Sequence, residues 1–226
     1  FKNFNTLKDI AKAKAEIIDN IMENGTIVLN KDDKFFNFFS AKAKRNKINV
    51  LSFSSKKKAD IFLSNIKKIN KYYRIKVFVK GKFFYFNIPY SADNFISNVL
   101  ACIAVTNVLN LNLIKINNAF KNFNIPSGRG DTRIIKKFKK KFKFIDESYN
   151  ANPLSMSSAI KNMRNYKIKI KSKKIAFLGD MLELGKKSKK FHKDLSKIIN
   201  KTDIDKVFVC GKYIRETFKF LSNDKK

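Results

Sequence analysis

One stretch of the chain concentrates side chains that could bind a polar ligand. Residues 144–156 read FIDESYNANPLSM, in which an apolar, β-prone run ends and small polar residues follow. A helix start accounts for Asn152 as an N-cap and for Pro153 at the first helical position. It leaves the carboxylates, hydroxyls and amide of residues 146–150 without a structural reason. We therefore expect a bound ligand at this strand end.

A lysine in the first predicted helix is the second candidate for chemistry. Lys14 falls on an apolar stripe of helical spacing, so it is expected to face the core. Either the stem is buried while the ammonium reaches water, or the amine is desolvated and neutral, and can act as a nucleophile, including towards carbon dioxide. The stripe is formed by Leu7, Ile10, Ile17 or Ile18, and Ile21.

Helical and strand-like segments that could position these residues alternate along the chain. In the first half, a strand at 26–30, a hairpin around Lys80 and Gly81, and helices at 94–108 and 112–123 are expected. In the second half, a strand pair ending at Glu147 is followed by a helix after Pro153, a strand at 173–180, a helix from about Ser188 and a strand at 206–212. This alternation predicts an α/β fold with a parallel sheet. The segment IPSGRG at 125–130 is the clearest break, and it predicts two domains, 1–126 and 127–226.

The composition indicates that the high positive charge is not a nucleic-acid-binding feature. The formal net charge is +32 over 226 residues, but Lys, Asn, Ile and Phe are enriched together, which indicates codon bias rather than a nucleic-acid surface. The run KKFKKKFKF at 136–144 predicts two strands with one solvated face and a turn near Lys139 to Lys141. No nucleic-acid partner is therefore expected, although a non-enzymatic basic binding module stays open as an alternative.

An uncharged stretch and two cysteines also bear on the class of protein. Residues 94–114 carry no charge, but their asparagines would be costly in a membrane, so a buried helix is expected rather than a membrane insertion. Cys102 and Cys210 form no disulfide framework or metal-binding spacing, and both are expected in the core. This cysteine usage fits a reducing compartment, so a cytoplasmic protein is expected.

Six segments, in chain order, resemble the Mur ligases, and among them the ligases that join D-alanyl-D-alanine to UDP-N-acetylmuramoyl-tripeptide. DESYNANP together with GDMLELG is a specific combination, whereas LNKDD or SGRG alone would be weak. The segments are AKAKAEI (11–17), LNKDD (29–33), DNFISNVLACIAV (93–105), SGRG (127–130), IDESYNANPLSM (145–156) and LGDMLELG (178–185), the last followed by His192.

The resemblance implies a fold and a set of site residues. The first domain would be part of a central ATPase domain, and the second part of a Rossmann-like C-terminal domain. Lys14 would be catalytic, as a carbamate that helps to hold Mg²⁺, and Asn98 would contact adenine. Arg129 and Glu147 would approach the ribose of ATP. Tyr149, Asn150 and Asn152 would shape the edge of the nucleotide site, while Asp180, Glu183 and His192 could equally be structural.

The resemblance also implies a reaction. ATP would phosphorylate the terminal carboxylate of UDP-N-acetylmuramoyl-tripeptide, and the amine of D-alanyl-D-alanine would attack the acyl phosphate. The chain contains no G-x-x-x-x-G-K-[ST] loop, so on its own it is expected to be inactive. Glu147 stands where the family usually has Asp, and residues 91–94 also depart from the family pattern. A related ligase for another muramyl peptide or a folate remains an alternative, and a monomer is expected.

Overall fold

The computed structural model describes residue 4 and residues 6–70, 72–89, 96–123, 126–137, 139–163, 166 and 172–226. The chain divides into two compact units: Leu7–Ile125 forms the first, and Pro126–Lys226 together with Phe1–Thr6 forms the second. Each unit combines helices with its own strands, as the α/β prediction requires. Residues 91–94, where the sequence departs from the family pattern, lie outside the described residues.

The first unit contains a five-stranded sheet in sequential order. The first three strands pair in parallel, and the last three pair antiparallel. The strands are β1 (Thr26–Asn30), β2 (Asn49–Ser54), β3 (Ile61–Ile69), β4 (Tyr72–Val79) and β5 (Lys82–Pro89). The helices are α1 (Leu7–Asp19), α2 (Phe36–Arg45), α3 (Ile96–Val108) and α4 (Leu113–Lys121).

Two of the predicted features of this unit are confirmed in detail. The β4–β5 hairpin turns at Lys80 and Gly81, with φ of 42° and 86°, and two positive φ values give the twist that such tight turns need. The uncharged stretch contains α3, in which Leu100 and Ile103 are fully buried in the core of the sheet. In the described part of the chain, no helix has the length and apolar character needed to cross a bilayer.

The prediction for α1 is confirmed at Ile18, which is fully buried, and wrong at Lys14, which lies on the exposed side. Ala11 and Ala15 share the i, i+4, i+7 face with Ile18, and Ala15 and Ile18 form a core cluster with Ala43 of α2. Ile17, the other candidate for this position of the stripe, is 65% exposed. The apolar stripe was defined by large side chains, so it did not identify the alanines of the buried face.

The second unit contains an antiparallel hairpin and a parallel strand pair. The hairpin joins β6 (Asp131–Lys137) to β7 (Lys140–Asp146), and the parallel pair is β8 (Ile175–Gly179) with β9 (Lys206–Cys210). The helices are α5 (Pro153–Asn162), α6 (Ser188–Ile199) and α7 (Arg215–Lys219). The α6 start at Ser188 and the parallel pairing are as predicted.

Two further predictions from the sequence are wrong. In the β6–β7 hairpin, Phe142 and Phe144 are 46% and 40% exposed, so the phenylalanine face is open as well as the lysine face. Two strands provide too little area to cover their own apolar side chains. Cys102 and Cys210 are free and exposed rather than in the core. In α3 the buried positions are Val99, Leu100, Ile103 and Ala104, so Cys102 falls between the buried positions of the helix.

The orientation of α1 can be tested with two neighbouring isoleucines. Ile18→Ala should lower the free energy of unfolding by about 2–5 kcal/mol, because it removes a fully buried side chain and leaves a cavity. Ile17→Ala is the matched control and should change it by less than about 0.5 kcal/mol, because Ile17 is exposed. Urea unfolding followed by circular dichroism measures both. Equal losses would contradict the observed orientation of the helix.

Candidate functional site

The break in the sequence at residues 127–130, the SGRG loop, packs against residues 146–149, the DESY segment. The backbone N–H of Gly130 donates to the carbonyl of Asp146 at 2.7 Å, and that of Tyr149 donates to the carbonyl of Gly128 at 3.0 Å. These bonds extend the β6–β7 ladder, in which Asp131 pairs with Asp146, beyond the end of the strands. Two segments that were conspicuous in the sequence therefore lie side by side.

Both glycines of the SGRG loop are required by their backbone conformation and by their neighbours. Gly128 and Gly130 have φ of +78° and +92°, a region that side chains disfavour. A Cβ on Gly128 would lie 3.0 Å from the Cβ and the backbone nitrogen of Tyr149, and one on Gly130 would lie 3.1 Å from Oε1 of Glu147. The G-x-G spacing thus fixes the backbone on either side of Arg129.

Three of the predicted nucleotide-binding residues come together at this place. The guanidinium carbon of Arg129 lies 4.0 Å from the centroid of the Tyr149 ring, a cation–π contact. Glu147 follows the end of β7 and lies against Gly130. Arg129, Glu147 and Tyr149 are all exposed, so a cation, a carboxylate and an aromatic face are accessible to a ligand.

A second layer of polar contacts under the loop was not predicted from the sequence. Asp131 accepts hydrogen bonds from the Gly128 N–H at 2.9 Å and from Nε of Arg133 at 2.7 Å. Arg133 also donates to the Ser127 hydroxyl at 2.8 Å. No local sequence signal identifies Asp131 as the residue that closes this loop, because its partners are set by how the loop folds back.

The two adjacent acids of the DESY segment have opposite electrostatic environments. The Ser148 hydroxyl and backbone N–H donate to Asp146 and lower its pKa. Desolvation, followed by repulsion from the carboxylates of Asp146 and Asp131, raises the pKa of Glu147. The chain itself therefore stabilises the Asp146 carboxylate, whereas its surroundings disfavour the ionised form of Glu147.

Of the two asparagines after this segment, Asn150 and Asn152, the structure gives a hydrogen-bonding role to Asn152. The Asn152 side-chain oxygen accepts from the backbone N–H groups of Leu154 and Ser155, at 3.0 and 2.9 Å. The Ser155 hydroxyl accepts in return from the Asn152 N–H, which completes a capping box at the start of α5. Asn152 is thus the N-cap of α5, as the interpretation of this segment as a helix start predicted. Asn150 is exposed.

The other predicted site residues lie in the first unit. Lys14 is on the exposed side of α1, and Asn98 is exposed in the first turn of α3. Asp32, within the LNKDD motif, joins the ends of β1 and β2 by accepting from the hydroxyls of Ser54 and Ser55 and from the Ser55 N–H. Desolvation raises the pKa of Asp32, but these hydrogen bonds outweigh it and hold the pKa below its usual value.

The GDMLELG motif uses its aspartate to connect strand ends. Asp180 follows β8 and accepts from the backbone N–H groups of Lys212, Tyr213 and Ile214, at 2.9, 2.9 and 2.7 Å. Gly211 has φ of +139°, and a Cβ there would lie 2.5 Å from the Asp180 carboxylate. This network gives Asp180 a structural role, one of the two interpretations that the sequence left open.

His192 also has a structural role in this unit. Its side chain is fully buried in α6, and Nε2 accepts from the Met181 N–H at 3.0 Å. Since Nε2 accepts, Nδ1 carries the proton and donates to the Ser188 carbonyl at 2.8 Å. Both nitrogens of a neutral ring are therefore satisfied, and His192 anchors the loop after β8. Among the residues that the structure describes, no group of three or more His, Cys, Asp or Glu side chains could hold a metal ion.

The electrostatics of the DESY segment can be tested through pH dependence. Because the pKa of Glu147 is raised, the native state binds a proton at this residue more readily than the unfolded state. Ionisation of Glu147 therefore destabilises the native state once the pH rises above the ordinary glutamate pKa. Glu147→Gln should therefore raise the free energy of unfolding at neutral pH, and this gain should vanish near about pH 3, below the ordinary glutamate pKa.

Glu216→Gln in α7 is a contrasting control for that experiment. The Lys219 ammonium lowers the pKa of Glu216, so this carboxylate stabilises the fold above its ordinary pKa and loses that effect as pH falls. Its substitution should lower stability slightly at neutral pH. Urea unfolding at a series of pH values measures the stability of both variants. A Glu147→Gln protein that is less stable than the wild type at neutral pH would contradict the raised pKa of Glu147.

Comparison with known proteins gives a consistent result along most of the chain. The family model of the Mur ligase middle domain matches residues 2–106, and that of the Mur ligase glutamate ligase domain matches residues 132–223. A UDP-N-acetylmuramoyl-tripeptide--D-alanyl-D-alanine ligase of Buchnera aphidicola subsp. Baizongia pistaciae is 34% identical over 94% of this chain and 44% of that protein.

Solved structures of the same kind share the fold. Crystal structure I of MurF from Acinetobacter baumannii superposes with a TM-score of 0.81 at 24% identity, over 100% of this chain and 47% of that one. MurF from Thermotoga maritima, in complex with ADP, superposes with a TM-score of 0.77 at 23% identity, over 99% and 48%. The chain thus spans about half the length of these proteins. With both of its units matched by the family's domain models, the chain belongs to the Mur ligase family.

Proposed function

We propose that the complete gene product adds D-alanyl-D-alanine to UDP-N-acetylmuramoyl-tripeptide with ATP, in the synthesis of peptidoglycan precursors. The observation that carries this proposal is the likeness of 94% of the chain, at 34% identity, to a ligase named for that reaction. The joined SGRG loop and DESY segment support it, because they present an exposed cation, Arg129, and an exposed carboxylate, Glu147, on adjacent backbone segments at the end of β7.

The cluster in the second unit fits the ribose of a nucleotide. The Glu147 carboxylate can accept hydrogen bonds from two neighbouring hydroxyls, and the Arg129 guanidinium can donate to oxygens of the sugar or of a phosphate. Hydroxyl donors would also supply the stabilisation that Glu147 lacks in the free protein. The MurF structure with ADP is a precedent for nucleotide binding by this fold. In the first unit, Asn98 would contact the adenine.

The edge of the site would be shaped by Tyr149, Asn150 and Asn152. In this proposal Asn152 acts mainly through the backbone, because its side chain caps α5 and so fixes the course of the chain after the DESY segment. Tyr149 offers an exposed ring, and Asn150 offers an exposed amide between the two. Asn150 and the backbone after the DESY segment would limit where the sugar can lie, and Tyr149 would shape the edge through its contact with Arg129.

ATP would supply the phosphoryl group that converts the tripeptide carboxylate into an acyl phosphate, which the dipeptide amine then attacks. The described residues offer no ready site for Mg²⁺, since Lys14 is exposed and no acidic cluster accompanies it. If Lys14 is carbamylated in the complete protein, it would gain an oxygen-donor group of the kind that Mg²⁺ prefers. ATP and a UDP-linked substrate are cytoplasmic metabolites, so a cytoplasmic location follows from the proposal.

The reaction can be tested with the complete gene product. Phosphate release from ATP should require both the UDP-linked tripeptide and D-alanyl-D-alanine, and single amino acids or folates should not replace the dipeptide. Arg129→Ala should raise the KM for ATP by about tenfold or more, because it removes charge-assisted hydrogen bonds to the nucleotide.

Arg45→Ala is the matched control, because Arg45 is an exposed arginine at the end of α2. It should leave the KM for ATP unchanged. Release that depends on another acceptor would move the protein to a different ligase of the superfamily. If no acceptor supports release and oligonucleotides bind with strong salt dependence, the basic binding module becomes the better account.

The role of Lys14 can be tested without an activity assay. In the complete gene product with ¹³C-labelled bicarbonate, we expect a carbamate resonance in the ¹³C spectrum that disappears in Lys14→Arg, because a guanidinium cannot form a carbamate. Lys12→Arg, an exposed lysine two residues away, should retain the resonance. A spectrum with no carbamate, or one that Lys14→Arg leaves unchanged, would remove Lys14 from the proposed magnesium site.

A further inference from the structure

The contact between Arg129 and Tyr149 has no explanation in core packing. Tyr149 is 66% exposed and Arg129 is exposed too, so neither side chain is placed there by burial. Nevertheless the guanidinium carbon lies only 4.0 Å from the ring centroid, over the face of the ring. An exposed arginine is otherwise free to sample many rotamers, and ordering it costs conformational entropy. The ring therefore restricts a side chain that would be mobile without it.

The ring itself is held by the backbone. The Tyr149 N–H donates to the Gly128 carbonyl at 3.0 Å, and a Cβ on residue 128 would lie only 3.0 Å from the Tyr149 Cβ. Gly130, on the other side of Arg129, is fixed by its bond to the Asp146 carbonyl. Because cation and ring start from backbones that are bonded to each other, the stacking requires no ligand.

We propose that Tyr149 is a positioning residue, which holds the Arg129 guanidinium in place for the nucleotide and acts through Arg129 rather than on the nucleotide directly. The inference rests on the proposed function, since it assigns a task within the same site. The contact with Arg129 is made by the face of the Tyr149 ring, so the inference assigns the positioning role to the ring and not to the hydroxyl.

Single substitutions test the importance of the ring. In the complete gene product, Tyr149→Leu should raise the KM for ATP by about three- to fivefold, the scale of an exposed cation–π contact, with a smaller change in kcat. Tyr149→Phe keeps the ring and should restore most of the lost affinity. Tyr85→Leu removes a comparably exposed tyrosine from β5 of the first unit and should leave the KM for ATP unchanged.

A double-mutant cycle tests whether Tyr149 acts through Arg129. If it does, adding Tyr149→Leu to Arg129→Ala should change the KM for ATP no further, because the side chain being positioned is already gone. If the ring contacts the nucleotide itself, the two effects should multiply. Multiplying effects, or a Tyr149→Leu protein with the wild-type KM, would overturn the inference while leaving the proposed function intact.

A spectroscopic measurement on the nucleotide-free protein completes the test. A guanidinium stacked on a ring shifts the δ-methylene protons of Arg129 upfield through the ring current. This shift should be present in the wild type and in Tyr149→Phe and absent in Tyr149→Leu. An arginine with unshifted protons in the wild type would overturn the inference. A complete gene product without dipeptide-dependent phosphate release would overturn the proposed function, and the inference with it.

Discussion

Two backbone hydrogen bonds between the SGRG loop and the DESY segment determine what the second unit can offer a ligand. They join Gly130 to Asp146 and Tyr149 to Gly128, and they are possible only because both glycines adopt positive φ without a Cβ in the way. Arg129 lies between these fixed points, so main-chain geometry sets where its side chain begins. This arrangement depends on the two glycines, because a Cβ at either position would lie close to the DESY segment.

In the second unit, the polar residues of the segments that resemble the Mur ligases fall into two groups. Some are hydrogen-bonded within the fold, and others have exposed side chains. Asp180 accepts hydrogen bonds from three backbone N–H groups, and both ring nitrogens of His192 are hydrogen-bonded, so the fold itself uses these polar atoms. Arg129 and Glu147 have exposed side chains instead. Internal satisfaction of hydrogen bonds, rather than residue type, separates the two groups.

The sequence predicted those parts of the protein that depend on local signals. The β4–β5 turn at Lys80 and Gly81 and the capping residue Asn152 follow from backbone preferences that a few neighbours determine. The face that α1 buries against α2 includes the small side chain of Ala15, which an apolar stripe of large residues does not identify. The Asp131–Arg133–Ser127 contacts likewise form only once the loop has folded back. Roles for Lys14 and Asn98 came from the family resemblance alone.

The opposite pKa shifts of Asp146 and Glu147 show why the polar cluster after β7 is not simply a turn. A turn needs one acceptor, and Asp146 supplies it by binding Ser148. A second carboxylate next to it gains nothing from the fold, because desolvation and the charges of Asp146 and Asp131 oppose its ionisation. The surroundings of Glu147 therefore disfavour its charged form while those of Asp146 favour it, so the two neighbouring acids have different electrostatic roles in this segment.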